Sequence, residues 1–290
     1  STICAGSTAN LMISFTGTAP FTFTYSDGTS HNVTTSDNPY TLMVTPASSG
    51  ITYSLVSVSD ANCDGTVSGS TVTLNLYGTT ITSGACASCA SPVVLCAGGN
   101  PGQFSVGTAT GGDGNYTYQW QESVGCTGTW VNATAQDGVT NTLSFDPPQL
   151  ITANSSICYR LQITDGCGNV GYSDTKTYNV VADPVSPTLN PSPADGTTVC
   201  VGADVSATFN AGSGGTGTIT DTYLYSTDGG ATWNTYVPGT AITATAGMVG
   251  SNMIQISAQR TATGTGCGDG AVNVVKWSVA AQPVSGTLTK

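Results

Sequence analysis

Charge is what this sequence has least of. Asp, Glu, Lys and Arg make up 7% of its 290 residues, where an ordinary globular protein carries about 25%. Lys and Arg together number five, and Glu122 and His31 are each the lone residue of their kind. With a formal net charge of −11, the chain lacks the clustered cations that phosphate binding relies on, which argues against nucleic acid as a partner. An anionic membrane surface is disfavoured on the same ground. No apolar run approaches the ~18 residues of a spanning helix, so direct membrane insertion is not expected. Scarce Lys and Glu also remove the residues that face solvent on long helices. Neither a signal peptide nor a basic leader is visible, which suggests a mature or excised product.

What is present favours strands: Thr, Val, Ile and Tyr are plentiful, and the apolar content of 39% is enough for a core. One unit recurs three times. It opens on a cysteine, any residue and a glycine: Cys4-Ala5-Gly6, Cys96-Ala97-Gly98 and Cys200-Val201-Gly202. It then runs into aromatics at alternate positions, Phe21-Thr22-Phe23-Thr24-Tyr25, Tyr116-Thr117-Tyr118-Gln119-Trp120 and Tyr223-Leu224-Tyr225. It closes near a second cysteine in a Gly/Asp-rich turn, at Cys63, Cys167 and Cys267. Period-2 alternation of this kind marks half-buried strands. Ser26-Asp27-Gly28-Thr29 reads as a tight hairpin with a type I′ turn. Short strands separated by turn residues point to an all-β fold, three tandem Ig-like antiparallel β-sandwiches.

The expected boundaries are module 1 at 1–79, a cysteine-containing linker at 80–92, module 2 at 93–182 and module 3 at 183–281. Residues 282–290 open a following repeat or linker, because Pro283-Val284-Ser285-Gly286-Thr287-Leu288 repeats the Pro184-Val185-Ser186-Pro187-Thr188-Leu189 that introduces module 3. The chain is therefore expected to come from a longer array.

Ten cysteines spread across a repeat suit an oxidising compartment. Joining the first to the second cysteine of each module gives Cys4–Cys63, Cys96–Cys167 and Cys200–Cys267. Each such bridge would close a loop of some 60 to 70 residues, and loop closure makes it worth about 4 kcal/mol at most. Cys126 and Cys158 are left to pair with each other. Cys86-Ala87-Ser88-Cys89 is the one close pair; it is either a local disulfide or a clamp on a neighbouring module. A structural zinc site would want four ligands, usually from two such pairs.

Catalytic signals are weak. His31 lies in a polar hairpin beside Asp27, where a triad fragment competes with a solvated turn histidine, and the polar hairpin setting favours the second. Most Asp residues, among them Asp27, Asp113, Asp137, Asp165 and Asp228, sit in turns, where the side chain bonds its own backbone. No cofactor is expected, although clustered Asp oxygens leave a loosely held Ca²⁺ open. Ser226-Thr227-Asp228-Gly229-Gly230-Ala231-Thr232-Trp233 matches the Asp-box of sialidase propellers, where the box is a structural hairpin; the match implies a turn closed by Asp228 with Trp233 folded over it. Trp130 takes the same place in module 2, with Cys126 as the tie. Both tryptophans are candidate glycan-stacking residues, the alternative being that they pack over the sandwich ends.

With these motifs in view the chain resembles a family. The Cys-x-Gly openings, Thr18-Ala19-Pro20-Phe21-Thr22-Phe23-Thr24-Tyr25-Ser26-Asp27-Gly28, Tyr118-Gln119-Trp120-Gln121 and Tyr225-Ser226-Thr227-Asp228-Gly229-Gly230 are similar to Ig-like or PKD-like repeat modules of very large Bacteroidota cell-surface proteins. Those proteins include gliding-motility adhesins exported by the type IX route. The resemblance implies an extracellular, non-enzymatic role as a segment of a surface filament or adhesin stalk. Its partners would be neighbouring modules or copies of itself. Carbohydrate-binding accessory modules of a secreted enzyme, with surface polysaccharide as partner, are the alternative.

Overall fold

The computed structural model describes residues 1–68, 71–89, 92–134 and 140–290; Asp137 of the turn residues named above lies outside them. Apart from one 3-10 turn at Ala246–Met248, regular structure among the described residues is strand. None of it is a helix long and apolar enough to cross a membrane.

The alternation seen in the sequence sets which side chains enter a core. In the Phe21–Ser26 strand Phe21 and Phe23 are buried and Thr22 is exposed. The strand sits inside a sheet ordered Thr2–Ile3, Val72–Leu76, Ile51–Ser59, Phe21–Ser26, Ser30–Thr35, and Ala9–Ile13 pairs separately with Tyr40–Val44. Ile13, Phe23, Leu42, Val44, Tyr53 and Leu74 fill the space enclosed. The second sandwich repeats the plan with Val131–Asn132, Tyr116–Val124, Ser155–Asp165, Lys176–Val181 and Val93–Cys96 in order, around Trp120, Phe104, Phe145, Tyr159 and Tyr178. The third has Thr198–Cys200, Asn273–Ala280, Gly250–Ala262, Ile219–Ser226 and Asn234–Thr235, with Thr188–Ser192, Asp204–Asn210 and Ile242–Thr243 in a second sheet. Trp277, Ile254, Ile256 and Val205 are its centre. Buried apolar side chains thus gather in three clusters, one per sandwich.

Two local expectations are corrected. Ser26 pairs with Ser30, so the first hairpin has a three-residue loop and not a two-residue type I′ turn; of Asp27 and Gly28 only Gly28 takes a positive φ, +114°. The cause is the Asp27 side chain, whose Oδ1 accepts the Thr29 N–H at 3.1 Å and the Thr29 hydroxyl at 2.9 Å, closing the loop locally. Within the expected linker at 80–92, the described residues 80–89 are also more than a connector. Ile81–Thr82 pairs with Thr110–Gly111, and Ile81 is buried in the core of the second sandwich. That docking needs glycine: a Cβ on Gly171 would lie 2.7 Å from the Ile81 side chain. The half-buried Cys86 and Cys89 pack on the same core, and the buried Lys176 ammonium donates to the Ser88 carbonyl.

One topological feature governs the cysteines. In each sandwich the first strand of the main sheet lies parallel to its last: Thr2–Ile3 to Val72–Leu76, Val93–Cys96 to Lys176–Val181, Thr198–Cys200 to Asn273–Ala280. The Cys-x-Gly cysteine follows or ends that first strand, so it stands where the last strand finishes. Cys96 is opposite Val181 and Cys200 opposite Ala280. The turn cysteine precedes the last strand and stands where it begins. The two cysteines of one sandwich therefore occupy opposite poles.

Candidate functional site

The pole geometry overturns the pairing within modules. At about 3.4 Å per residue the Val72–Leu76 strand separates its ends by roughly 17 Å, whereas a disulfide needs Cα atoms within about 7 Å. Cys4–Cys63, Cys96–Cys167 and Cys200–Cys267 are not formed. Cys4 bonds Cys167 instead, with Cα atoms 5.4 Å apart, and Cys96 bonds Cys267 at 4.9 Å. Each bridge joins the exit pole of one sandwich to the entry pole of the next. Cys126 bonds Cys158 and Cys86 bonds Cys89. Cys63 and Cys200, both expected in bridges, are free and exposed.

The junction between the second and third sandwiches is tight. The Cys96 N–H donates to the Thr265 carbonyl at 2.9 Å, and a Cβ on Gly266 would fall 2.2 Å from Gly99 Cα. Two glycines are needed here because backbone meets backbone with no room for a side chain.

The hairpin tryptophans lie in different sandwiches. In the Asp-box, Asp228 Oδ1 accepts the Thr232 N–H at 2.9 Å and the Ser226 hydroxyl at 2.7 Å, and Oδ2 accepts the Thr232 hydroxyl at 2.5 Å. Trp233 Nε1 donates to the Gly230 carbonyl at 3.1 Å, which folds the ring over the turn and leaves the residue 37% exposed. Trp130 is half-buried. The Arg160 guanidinium carbon lies 4.2 Å from the Trp130 ring centre and 3.8 Å from that of Tyr172, so a cation stacks on a face that a sugar would use. The Cys126–Cys158 bond pins the start of this hairpin to the neighbouring strand.

His31 shares Nε2 between Asp27 Oδ1 at 3.0 Å and the Thr29 hydroxyl at 2.9 Å, and its ring stacks on Tyr25. These contacts make it a tie across the hairpin mouth. Asp113 and Asp165 clasp two loops: the Asp113 N–H donates to Asp165 Oδ2 at 3.1 Å and the Gly166 N–H to Asp113 Oδ1 at 3.0 Å. Asp165 also takes N–H groups of Cys167 and Asn169. Among the described residues no three His, Cys, Asp or Glu side chains converge. Carboxylate oxygens of Asp113 and Asp165 are taken up by N–H donors of the two loops they join.

Three features escaped the sequence. The stack of Arg160 between Trp130 and Tyr172 and the bidentate Arg260–Asp221 pair, at 2.7 and 2.8 Å, join residues 12 to 39 apart with no local motif. The third is a cleft of about 680 Å³ in the first sandwich, lined by Leu11, Phe15, Tyr53, Leu55, Asp60 and Cys63 among others.

The turn carboxylates make stability depend on pH. Hydrogen bonds from the Thr232 hydroxyl and N–H, then from Ser226, hold Asp228 down to about 2. The Thr29 hydroxyl, then His31, do the same for Asp27, also to about 2. A carboxylate with a depressed folded-state pKa contributes stability above its unfolded value, near 4, and loses it as pH falls through the folded value. The melting temperature should therefore hold above about pH 5 and drop between about 4 and 2. Asp228→Asn should flatten that drop; an unchanged acid limb, followed by calorimetry, would show that the box carboxylate does not stabilise the fold.

A family model described as the Ig-like domain of nucleoporin POM152 matches residues 1–73. Among solved structures the chain is similar to a stretch of titin domains at 15% identity, covering 97% of this chain and 96% of that one with a TM-score of 0.39. It is also similar to extracellular domains of Drosophila OTK (12% identity, 98% and 94% covered, TM-score 0.28) and to the N-terminal four Ig domains of a Dscam1 isoform (14%, 97% and 71%, 0.28). No curated protein matches the chain. By its strand pairing the protein is a tandem array of Ig-like β-sandwich modules.

Proposed function

We infer that the chain is a structural segment of an extracellular surface filament or adhesin stalk, setting reach and resisting tension. The observation that carries this reading is the pair of junction bridges, Cys4–Cys167 and Cys96–Cys267. They tie successive beads to one another, a use of disulfides that serves the series and not the single fold. Four disulfides in a chain of this size suit an oxidising, extracellular setting. The resemblance to Bacteroidota surface modules supports type IX export and a part in gliding or adhesion. Surfaces poor in charge favour contact between neighbouring copies.

Immunogold labelling of intact source cells should decorate surface fibres, and label confined to the cell interior would sink the reading. The competing role, glycan binding in a secreted enzyme's accessory modules, draws on the exposed Trp233. A glycan array should show no binding. Binding lost in Trp233→Ala or Trp130→Ala would favour that role instead.

A further inference from the structure

The two junctions obey one rule: a Cys-x-Gly cysteine at an exit pole bonds a turn cysteine at the next entry pole. Cys200 stands where Cys96 stands. Each ends a strand parallel to the last strand of its sandwich, and the following N–H donates back to that strand, Ala97 to the Val181 carbonyl and Val201 to that of Ala280. The next glycine N–H reaches the body of the sandwich in both, Gly98 to Leu150 and Gly202 to Ala244. Cys63 in turn stands where Cys167 stands. Asp60 and Asp165 each accept that cysteine's N–H through Oδ1, at 2.8 and 3.0 Å. Each accepts a facing-loop N–H through Oδ2, from Thr18 at 2.9 Å and Asp113 at 3.1 Å. Cys96 and Cys167 are both bonded across a junction, whereas Cys200 and Cys63 present the same backbone settings with exposed free thiols.

We propose that Cys200 and Cys63 are the two halves of one further junction, which joins the exit pole of the third sandwich to the entry pole of the first sandwich in a second copy. Such a contact uses two different surfaces and does not close on itself, so it propagates head to tail. The chemistry needs a low-molecular-weight disulfide as oxidant, for which oxidised glutathione serves. The Cys200 thiolate attacks it, forming a protein–glutathione disulfide and releasing one glutathione thiolate. The Cys63 thiolate of the second copy then attacks the Cys200 sulfur, forming the Cys200–Cys63 bond and releasing the other. Two protein thiols are oxidised and one small disulfide is reduced to two thiols. The inference rests on the reading of the chain as modules in series, and adds the partner and the bond.

The test uses the whole chain with oxidised glutathione, non-reducing electrophoresis and peptide mapping. The unaltered chain should give a ladder of multimers containing a Cys63–Cys200 peptide. Cys63→Ser alone and Cys200→Ser alone should each stay at single-chain size, with the four native bridges confirmed by mapping. An equimolar mixture of the two should give a two-chain species that reductant collapses. Single variants that dimerise as fully as the mixture, or a mixture that stays at single-chain size, would overturn the proposal. Either result leaves the surface-labelling experiment untouched, so failure here and failure of the stalk reading are separable.

Discussion

Pulled by its two ends with every bridge intact, a single chain should stop lengthening at roughly 240 Å, against roughly 1,000 Å once reduced, at ~3.4 Å per residue. The limit is the shortest covalent route between the ends. It runs from Ser1 to Cys4, crosses to Cys167, returns to Cys158, crosses to Cys126, returns to Cys96, crosses to Cys267 and proceeds to Lys290. Only about 65 residues lie on it. Bridges inside modules, as the repeat alone suggests, would leave about 92 residues and a limit near 330 Å. Single-molecule stretching distinguishes the three lengths. A plateau near 330 Å would reinstate bridges within modules, and an unchanged plateau after reductant would remove disulfides from the load path. Most of the first and third sandwiches lies in loops off the taut route, so tension that melts them cannot draw them out.

That contrast also shows what was and was not legible in the residues. The alternating strands were readable: Phe21 to Tyr25, Tyr116 to Trp120 and Tyr223 to Tyr225 all lie inside strands. The Asp-box hairpin was readable too, since Ser226, Asp228 and Thr232 bond within seven residues of one another. Bridge partners were not. A periodic pattern looks the same whether each cysteine pairs within its unit or one unit along, and only the parallel pairing of first and last strands places the two cysteines at opposite poles. Residues 80–89 were misread because Ile81 is a single apolar residue among small ones. The signal that docks it lies elsewhere, in Gly111 and Gly171. Trp130 and Arg160 likewise meet only because the sheet brings them together.

Trp120→Ala should unfold the second sandwich more readily than any hairpin substitution. The Trp120 side chain is fully buried. Its ring meets Phe104 edge-on at 5.2 Å and stacks on Phe145 at 5.1 Å, and Nε1 donates to the Thr142 carbonyl at 3.2 Å. Truncation removes the largest side chain of this core and leaves a cavity that rigid sheets close only in part, at a cost of about 3–5 kcal/mol. That is a large share of the ~5–15 kcal/mol that holds a domain together. At about 4–8 °C per kcal/mol for a module of this size, melting of the second sandwich should fall by roughly 15 °C or more. Trp120→Phe keeps most of the ring packing but strands the Thr142 carbonyl, so it should cost less, about 1–3 kcal/mol. Trp233→Ala, at a partly exposed position over a turn, should cost about 1 kcal/mol or less. Calorimetry or urea melts of the three variants give the order directly. A Trp120→Ala loss no greater than that of Trp233→Ala would mean that the aromatic cluster is not what holds the second sandwich, and that its stability resides instead in the bridges at its two poles.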